Sequence, residues 1–322
     1  MRRQRTSASD LVFRGGTGFF ALVLIFCAVG IGVILWRDSR LSLHAFGLKF
    51  WATDTWDPVA GNFGARPFIW GTLYSSVLAL LISAPIALGI AVFLSELCPH
   101  RLRQPLAFLT ELLAAIPSIV YGLWGIFVLV PAVRALEVAL PDWLRATPLF
   151  TGPPVGVGML SAAVILAIMV VPFTSSVARE VLKAVPAAQR EGAYALGSTR
   201  WEATKVALYY GRVGIIGAIM LGLGRALGET MAVTMVIGNT PQASWSLYAP
   251  QYTMAAVIAN EFSEATERLH VSALIEIGLV LFVITLVVNA ASRLLIWSMT
   301  RERTYPVVPA PIVAETTGVP TA

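Results

Sequence analysis

Six long apolar segments constrain the fold of this chain more than any other feature. A helix crosses the hydrocarbon core of a bilayer with about 20 apolar residues, and each segment reaches that length. Inside a membrane the backbone has no water to bond, so such a segment satisfies its polar groups within its own helix. The sequence therefore predicts an all-α polytopic membrane protein with six transmembrane helices, at 17–36, 68–94, 105–133, 154–177, 213–238 and 272–297.

Composition supports a membrane protein. Hydrophobic residues make up 57% of the chain and charged residues 13%, whereas soluble domains carry about 25% charged residues. We expect a cytoplasmic N-terminal segment at 1–16 and a transmembrane domain at 17–303. No small-residue cleavage pattern follows the first apolar segment, which predicts an uncleaved span. The tail at 304–322 has no helical period and is predicted to be disordered.

The distribution of Lys and Arg predicts the orientation. If both termini lie on one side, the segments on that side hold 15 Lys and Arg and the opposite segments hold 7. Cytoplasmic segments of membrane proteins carry the excess of these residues. We therefore expect both termini in the cytoplasm.

Arg225 stands near the middle of the fifth apolar segment, and Glu229 follows four residues later. A charge at the centre of a membrane helix costs about 2.5–3.5 kcal/mol, so it should face protein or water rather than lipid. This i, i+4 spacing puts both side chains on nearly the same helix face. A buried positive charge indicates an anion pathway, with Glu229 compensating Arg225 while the pathway is empty. The alternative is a structural ion pair that holds helices or subunits together.

The segment around Pro117 offers two interpretations. Proline removes a backbone hydrogen bond and bends or breaks a helix, and the following residues 118–125 are rich in glycine and aromatic side chains. One interpretation is a broken helix beside a pathway, and the other is a curved helix within a bundle.

The connection at 178–212 is predicted to form two short helices on the membrane face. Pro186 suits the first turn of a helix, and Gly197 suits the positive φ of a helix C-cap. Ser198 or Thr199 can cap the second helix. This pattern alone fits either a plain connector or a functional loop.

Four residues of this connection, Glu191, Gly192, Ala193 and Gly197, resemble the EAA loop of bacterial ABC importer permeases. In that family the loop forms a coupling helix that docks on a separate ATPase subunit. The resemblance implies this role here. The Leu-Pro that normally closes the family pattern is replaced by Tyr209-Tyr210.

Three further segments are similar to the PstC family of phosphate permeases, and the resemblance spans 17–303. They are Trp-Asp-Pro-Val at 56–59, Ile-Pro-Ser-Ile-Val-Tyr-Gly-Leu-Trp-Gly at 116–125 and Gly-Leu-Gly-Arg-Ala-Leu-Gly-Glu-Thr-Met-Ala at 222–232. The resemblance implies a type I ABC-importer permease fold, the bacterial inner membrane and a phosphate pathway that includes Arg225 and Glu229.

The resemblance also implies a set of partners. These are a second, PstA-like permease chain, a PstB-like ATPase dimer and a periplasmic, PstS-like phosphate-binding protein. The chain has no Gly-x-x-x-x-Gly-Lys-Ser/Thr phosphate loop. We therefore expect a transport subunit without enzymatic activity or cofactors of its own, with ATP and Mg bound by the partner ATPase.

Several alternatives stay open at this point. The chain could be the paired PstA permease or a permease for another oxyanion. It could also be an ion-coupled secondary anion transporter, although such proteins usually show internal repeats. Signalling partners are an added option, whereas the small net charge of +5 gives no indication of nucleic-acid binding.

Overall fold

A computed structural model describes residues 8–301, with side chains for 13–299. The predicted tail at 304–322 and the first seven residues of the predicted N-terminal segment lie outside the described residues. The described chain is helical throughout its regular structure, which confirms the all-α prediction. Its α-helices are α1 (Ala8–Asp38), α2 (Arg40–Phe46), α3 (Arg66–Val92), α4 (His100–Ala115), α5 (Ser118–Trp124), α6 (Val130–Ala139), α7 (Asp142–Arg145), α8 (Met159–Lys183), α9 (Ala187–Ala195), α10 (Arg200–Leu227), α11 (Met231–Thr234), α12 (Met254–Glu261) and α13 (Arg268–Arg301).

Within residues 8–301, six helical stretches are long and apolar enough to cross a membrane, in agreement with the predicted number. π-helical turns extend α3 to Leu97 and join α5 to α6. The six stretches are Phe13–Asp38, Arg66–Leu97, Ser118–Ala139, Met159–Lys183, Arg200–Leu227 and Arg268–Met299. The short helix α9 connects α8 to α10, and the end of the bundle that carries it is called the loop end below; the opposite end is the far end.

Helix α8 is the centre of the bundle. It packs against α3, α4 and α10, and most of its apolar side chains are buried. Glycines on α10 allow the close approach: a Cβ at Gly214 would lie 2.6 Å from Val181, and one at Gly222 would clash with Thr174. Gly224 and Gly228, four residues apart, are not crowded by another helix.

The third span is broken, and the prediction of one helix at 105–133 was wrong in this respect. Helix α4 ends at Ala115, and Ile116 and Pro117 have extended backbone with ψ of 131° and 139° before α5 begins. The physical cause is Pro117, which has no N–H to donate and excludes the residue before it from helical geometry. Of the two interpretations of this segment, the broken helix is the one observed.

The fourth and fifth spans are displaced along the sequence from their predicted positions. Helix α8 begins at Met159, not at 154, and continues to Lys183. Helix α10 begins at Arg200 and ends at Leu227, whereas hydropathy placed the span at 213–238. Hydropathy marks apolar residues, but a helix continues into water when its cap and hydrogen bonds allow it. The chain after Leu227 is irregular until α11.

The two interrupted helices meet inside the bundle. Helix α11 packs on α5, and the contact requires glycine on α5. A Cβ at Gly122 would lie 2.5 Å from the sulfur of Met235, and one at Gly125 would lie 2.9 Å from Val236. The break near Pro117 and the end of α10 are therefore held beside each other by close packing.

Glu276 lies on α13 toward the far end. Its side chain is fully buried, and neither carboxyl oxygen has a hydrogen-bond partner among the described residues. Ser42 lies beside it, and the Ser42 hydroxyl is likewise buried without a partner at hydrogen-bond distance.

Candidate functional site

Arg225 lies in the last turn of α10, on the surface of this chain. Its guanidinium carbon lies 5.8 Å from the ring centre of Phe173 on α8. With a rise of about 1.5 Å per residue, Phe173 is about 21 Å from the far end of α8 and about 15 Å from its loop end. The guanidinium is therefore near the middle of the membrane-spanning part.

The surroundings of Arg225 leave its charge available. The side chain is exposed in this chain, and within residues 13–299 no carboxylate lies within ion-pair distance of it. The carboxyl end of a helix favours a cation, because the last carbonyl groups of α10 point toward it. Tyr121 on α5 is close enough to interact electrostatically with Arg225.

Glu229 does not share a helix face with Arg225. The prediction of one face assumed a continuous helix, and it was wrong because α10 ends at Leu227. Glu229 instead lies before α11, where one of its carboxylate oxygens accepts a hydrogen bond from the Ala232 backbone N–H at 3.4 Å. The two side chains form no ion pair in the described structure, and the alternative of a structural role between subunits stays open.

Tyr121 is a member of the site that sequence reasoning did not single out. Its hydroxyl donates a hydrogen bond of 2.8 Å to the carbonyl oxygen of Leu113 on α4. That bond bridges the break at Pro117. The sequence signal for it was the aromatic and glycine-rich composition after the proline, but only the packing of α5 against α11 brings Tyr121 near Arg225.

The predicted glycine turn between α9 and α10 is confirmed. Gly197 has a φ of +80°, and Thr199 is the N-cap of α10. The Thr199 hydroxyl accepts a hydrogen bond from the Glu202 N–H, and the Glu202 carboxylate accepts one from the Thr199 N–H at 2.7 Å. The second helix is not short, however. It is α10 itself, so one rigid element leads from the loop to Arg225.

The four residues of the EAA-like pattern divide into two sets. Glu191, Gly192 and Gly197 are exposed on the outside of the loop end, whereas Ala193 is buried against the bundle. The exposed surface also includes Tyr194 and Leu196, of which Leu196 is 88% exposed. Tyr194 on α9 and Leu196 just after it therefore form an exposed apolar pair beside the residues of the pattern.

Arg190 is a further residue that the sequence did not identify. It lies on α9 and donates hydrogen bonds to both carboxylate oxygens of Glu96 at the end of α3, at 3.0 and 2.7 Å. It also donates to the carbonyl oxygens of Val185 and Leu182 at the end of α8. No local pattern links Arg190 to Glu96, because 94 positions separate them.

Comparisons with known proteins agree with this architecture. The family described as binding-protein-dependent transport system inner membrane component matches residues 83–301. The phosphate transport system permease protein PstC of Mesorhizobium japonicum is 45% identical over 296 residues, covering 90% of each chain. PstC of Pasteurella multocida is 47% identical over 299 residues, covering 91% of this chain and 93% of the other.

A solved structure supports the fold. An inward-facing structure of the MetNI methionine ABC transporter aligns with a TM-score of 0.54 at 17% identity, and it covers 72% of this chain and 94% of that chain. At this identity the likeness concerns the fold alone, which is that of a type I ABC importer permease. Together with its six apolar helices, these matches make the chain a multi-pass membrane protein of an ABC transport system. It belongs to the family of binding-protein-dependent transport system inner membrane components and, within that family, to the PstC permeases.

Proposed function

We propose that this chain is the permease subunit of an ATP-driven phosphate importer and forms half of its transmembrane pathway. The observation that carries the proposal is the position of Arg225. A guanidinium with no carboxylate at ion-pair distance within residues 13–299 lies at mid-depth, where two interrupted helices meet. Irregular backbone at membrane depth is tolerated where it is enclosed by protein or lines a water-filled path. The names of the PstC relatives supply phosphate as the anion.

Arg225 serves as the contact for phosphate along the path. The planar guanidinium matches two phosphate oxygens at once and stays charged at any physiological pH. The hydroxyl of Tyr121 lies on the same side of the site and adds a polar group at the break. Glu229, at the start of α11, lowers the net positive charge of the path. The negative charge of Glu229 thereby keeps phosphate from binding so tightly that it is not released.

The loop end faces the cytoplasm in this proposal, with both termini on that side. The docking surface of Glu191, Gly192, Gly197 and the exposed apolar pair then contacts a PstB-like ATPase dimer, which binds ATP and Mg and hydrolyses the nucleotide. A PstA-like second permease completes the pathway, and a periplasmic PstS-like protein delivers phosphate at the far end. The membrane is the bacterial inner membrane.

The decisive experiment is phosphate uptake by vesicles that contain the assembled complex with Arg225→Ala. We expect assembly and ATP hydrolysis to persist while uptake falls at least about 100-fold, since the charge that binds phosphate is lost. Arg293→Ala, on α13, is the control for loss of an exposed arginine outside the proposed pathway. Undiminished uptake in Arg225→Ala vesicles contradicts the pathway role, and loss of assembly indicates a structural role instead.

The same vesicles distinguish the alternative transport functions. Competition by excess sulfate or molybdate as strong as that by unlabelled phosphate indicates a permease for another oxyanion. Uptake by this chain without an ATPase, driven by an ion gradient, indicates a secondary transporter. The PstA alternative is not favoured, because the relatives reported above are PstC proteins.

A further inference from the structure

A cavity of about 440 Å³ opens between α4 and the last turns of α8, at the loop end of the bundle. It is separate from the mid-depth site around Arg225. Four side chains that carry or can accept a positive charge line it: His100, Arg103, Arg179 and Lys183. Glu111 is the one carboxylate among its lining residues.

The cavity has more positively charged side chains than nearby carboxylates that could neutralise them. Arg179 forms the floor with only 4% of its surface exposed, and it is paired with Glu111 at 2.7 Å and with Glu180 at 3.0 Å. Both acids near the cavity are therefore already engaged. Arg103 has no carboxylate within ion-pair distance in the part of the chain that the structure describes.

The hydrogen-bonding groups of the rim are also incompletely used. Arg103 donates to the carbonyl oxygen of Cys98 at the long distance of 3.5 Å, and its Nε is buried without a partner among the described residues. Lys183 bonds Glu180 but remains exposed, as does His100. These donors need an acceptor with several oxygens.

The cavity has an apolar side as well. Ala107 and Phe108 line it, and Phe108 is 62% exposed. Farther along α4, Leu109 and Leu112 are exposed on the outside of the bundle. A basic pocket bordered by lipid-facing apolar side chains is the usual arrangement for binding an acidic head group.

We propose that this cavity binds a phosphate-bearing anion at the membrane surface. Arg103 and Lys183 contact the phosphate oxygens, and Phe108 borders the apolar part of the ligand. Two sources share this chemistry: the head group of an acidic phospholipid and free inorganic phosphate. In the orientation proposed above, the site lies at the cytoplasmic leaflet beside α9.

The test uses the purified full chain with Arg225→Ala in every sample, so that the mid-depth site does not bind phosphate. The cavity variant is Arg103→Gln/Lys183→Gln. The matched control is Arg101→Gln/Arg200→Gln, which removes two exposed charges at the same end outside the cavity. Native mass spectrometry with phosphatidylglycerol or phosphatidylcholine measures lipid binding, and calorimetry measures inorganic phosphate binding.

We expect the cavity variant to bind one of these phosphate-bearing probes at least about tenfold more weakly than the control, because two cationic contacts are lost. If only phosphatidylglycerol binding is weakened, the cavity is a lipid site. If only phosphate binding is weakened, the cavity is a site for the free anion. Equal binding of both probes by cavity variant and control overturns the proposal. The charge-retaining variant Arg103→Lys/Lys183→Arg should bind as the parent does, and its failure would also overturn the proposal.

Discussion

Arg190 on α9 and Glu96 at the end of α3 form a two-point ion pair that ties the loop helix to a membrane span. Two further bonds from the Arg190 guanidinium reach carbonyl oxygens at the end of α8. One side chain therefore joins three elements. A displacement of α9 by a docked partner would be transmitted to both spans, because the planar guanidinium holds its acceptors in fixed directions.

The first prediction concerns this pair. In the assembled complex, Glu96→Gln should lower phosphate uptake at least about tenfold while ATP hydrolysis continues, because a pair that transmits force between α9 and α3 is weakened. Arg190→Gln should do the same or more, since it also removes the guanidinium bonds to two carbonyl oxygens at the end of α8. Phosphate uptake and ATP hydrolysis are measured on the same preparation, to check that uptake falls while hydrolysis continues.

A double-mutant cycle distinguishes coupling from general damage. The variant with both changes should lose little more uptake than Arg190→Gln alone, because the two residues act through one interaction. Multiplicative losses of uptake, with hydrolysis lost in parallel, would show that the two residues act independently. Glu202→Gln is a control, since its carboxylate lies at the same end but bonds only its own helix cap.

Leu196 provides a test of the docking surface. Changing this 88% exposed side chain to Asp should leave the folded chain intact, because it makes few contacts within the chain. Association with the ATPase should weaken about tenfold or more, since an apolar anchor in an interface is replaced by a charge. Co-purification of the two subunits measures this effect, and unchanged association excludes Leu196 from the interface.

Gly197 tests the turn that precedes α10. Its φ of +80° is strained for a residue with a branched side chain, so Gly197→Val should reduce both ATPase association and uptake. Gly217→Ala is a suitable comparison, because position 217 lies on α10 outside the docking surface. Its Cβ would have an ordinary contact of 3.7 Å with Ile296, and a helix interior favours alanine over glycine. If Gly197→Val keeps full association and uptake, the turn is not required for coupling.

Gly222 tests the packing of α10 against α8. An added Cβ would clash with Thr174 and lie 2.9 Å from Val170, so Gly222→Ala should destabilise the chain by about 1–3 kcal/mol. Gly217→Ala is the control, because its Cβ would have an ordinary contact of 3.7 Å with Ile296. In detergent, the unfolding transition temperature of Gly222→Ala should be lower than that of the parent, and that of Gly217→Ala should be equal or higher.

A substitution at Glu276 is predicted to increase the stability of the chain. A buried carboxyl group without a hydrogen-bond partner costs free energy. Glu276→Met, which fills similar space with apolar atoms, should therefore raise the stability by about 1–3 kcal/mol. The same unfolding measurement checks it, and a lower transition temperature would show that the carboxyl has a stabilising partner in the folded protein.

The number of spans and the helical class follow from the sequence, because each apolar segment must satisfy its own backbone wherever it lies in the bundle. The same holds for the turn at Gly197 and the cap at Thr199, whose hydrogen bonds join residues only a few positions apart. The sequence offered the break at Pro117 as one of two interpretations, since proline acts on its own peptide bond and on the residue before it. These features depend on local chemistry.

Tertiary structure decided where the helices end and which side chains meet. The apolar sequence continues past Leu227, but α10 ends there and Glu229 turns away from Arg225 to the start of α11. Similarly, Arg190 meets Glu96 only because α3 and α8 end at the same level of the bundle. Hydropathy measures the preference of each residue for lipid, whereas these contacts are set by packing between segments far apart in the chain.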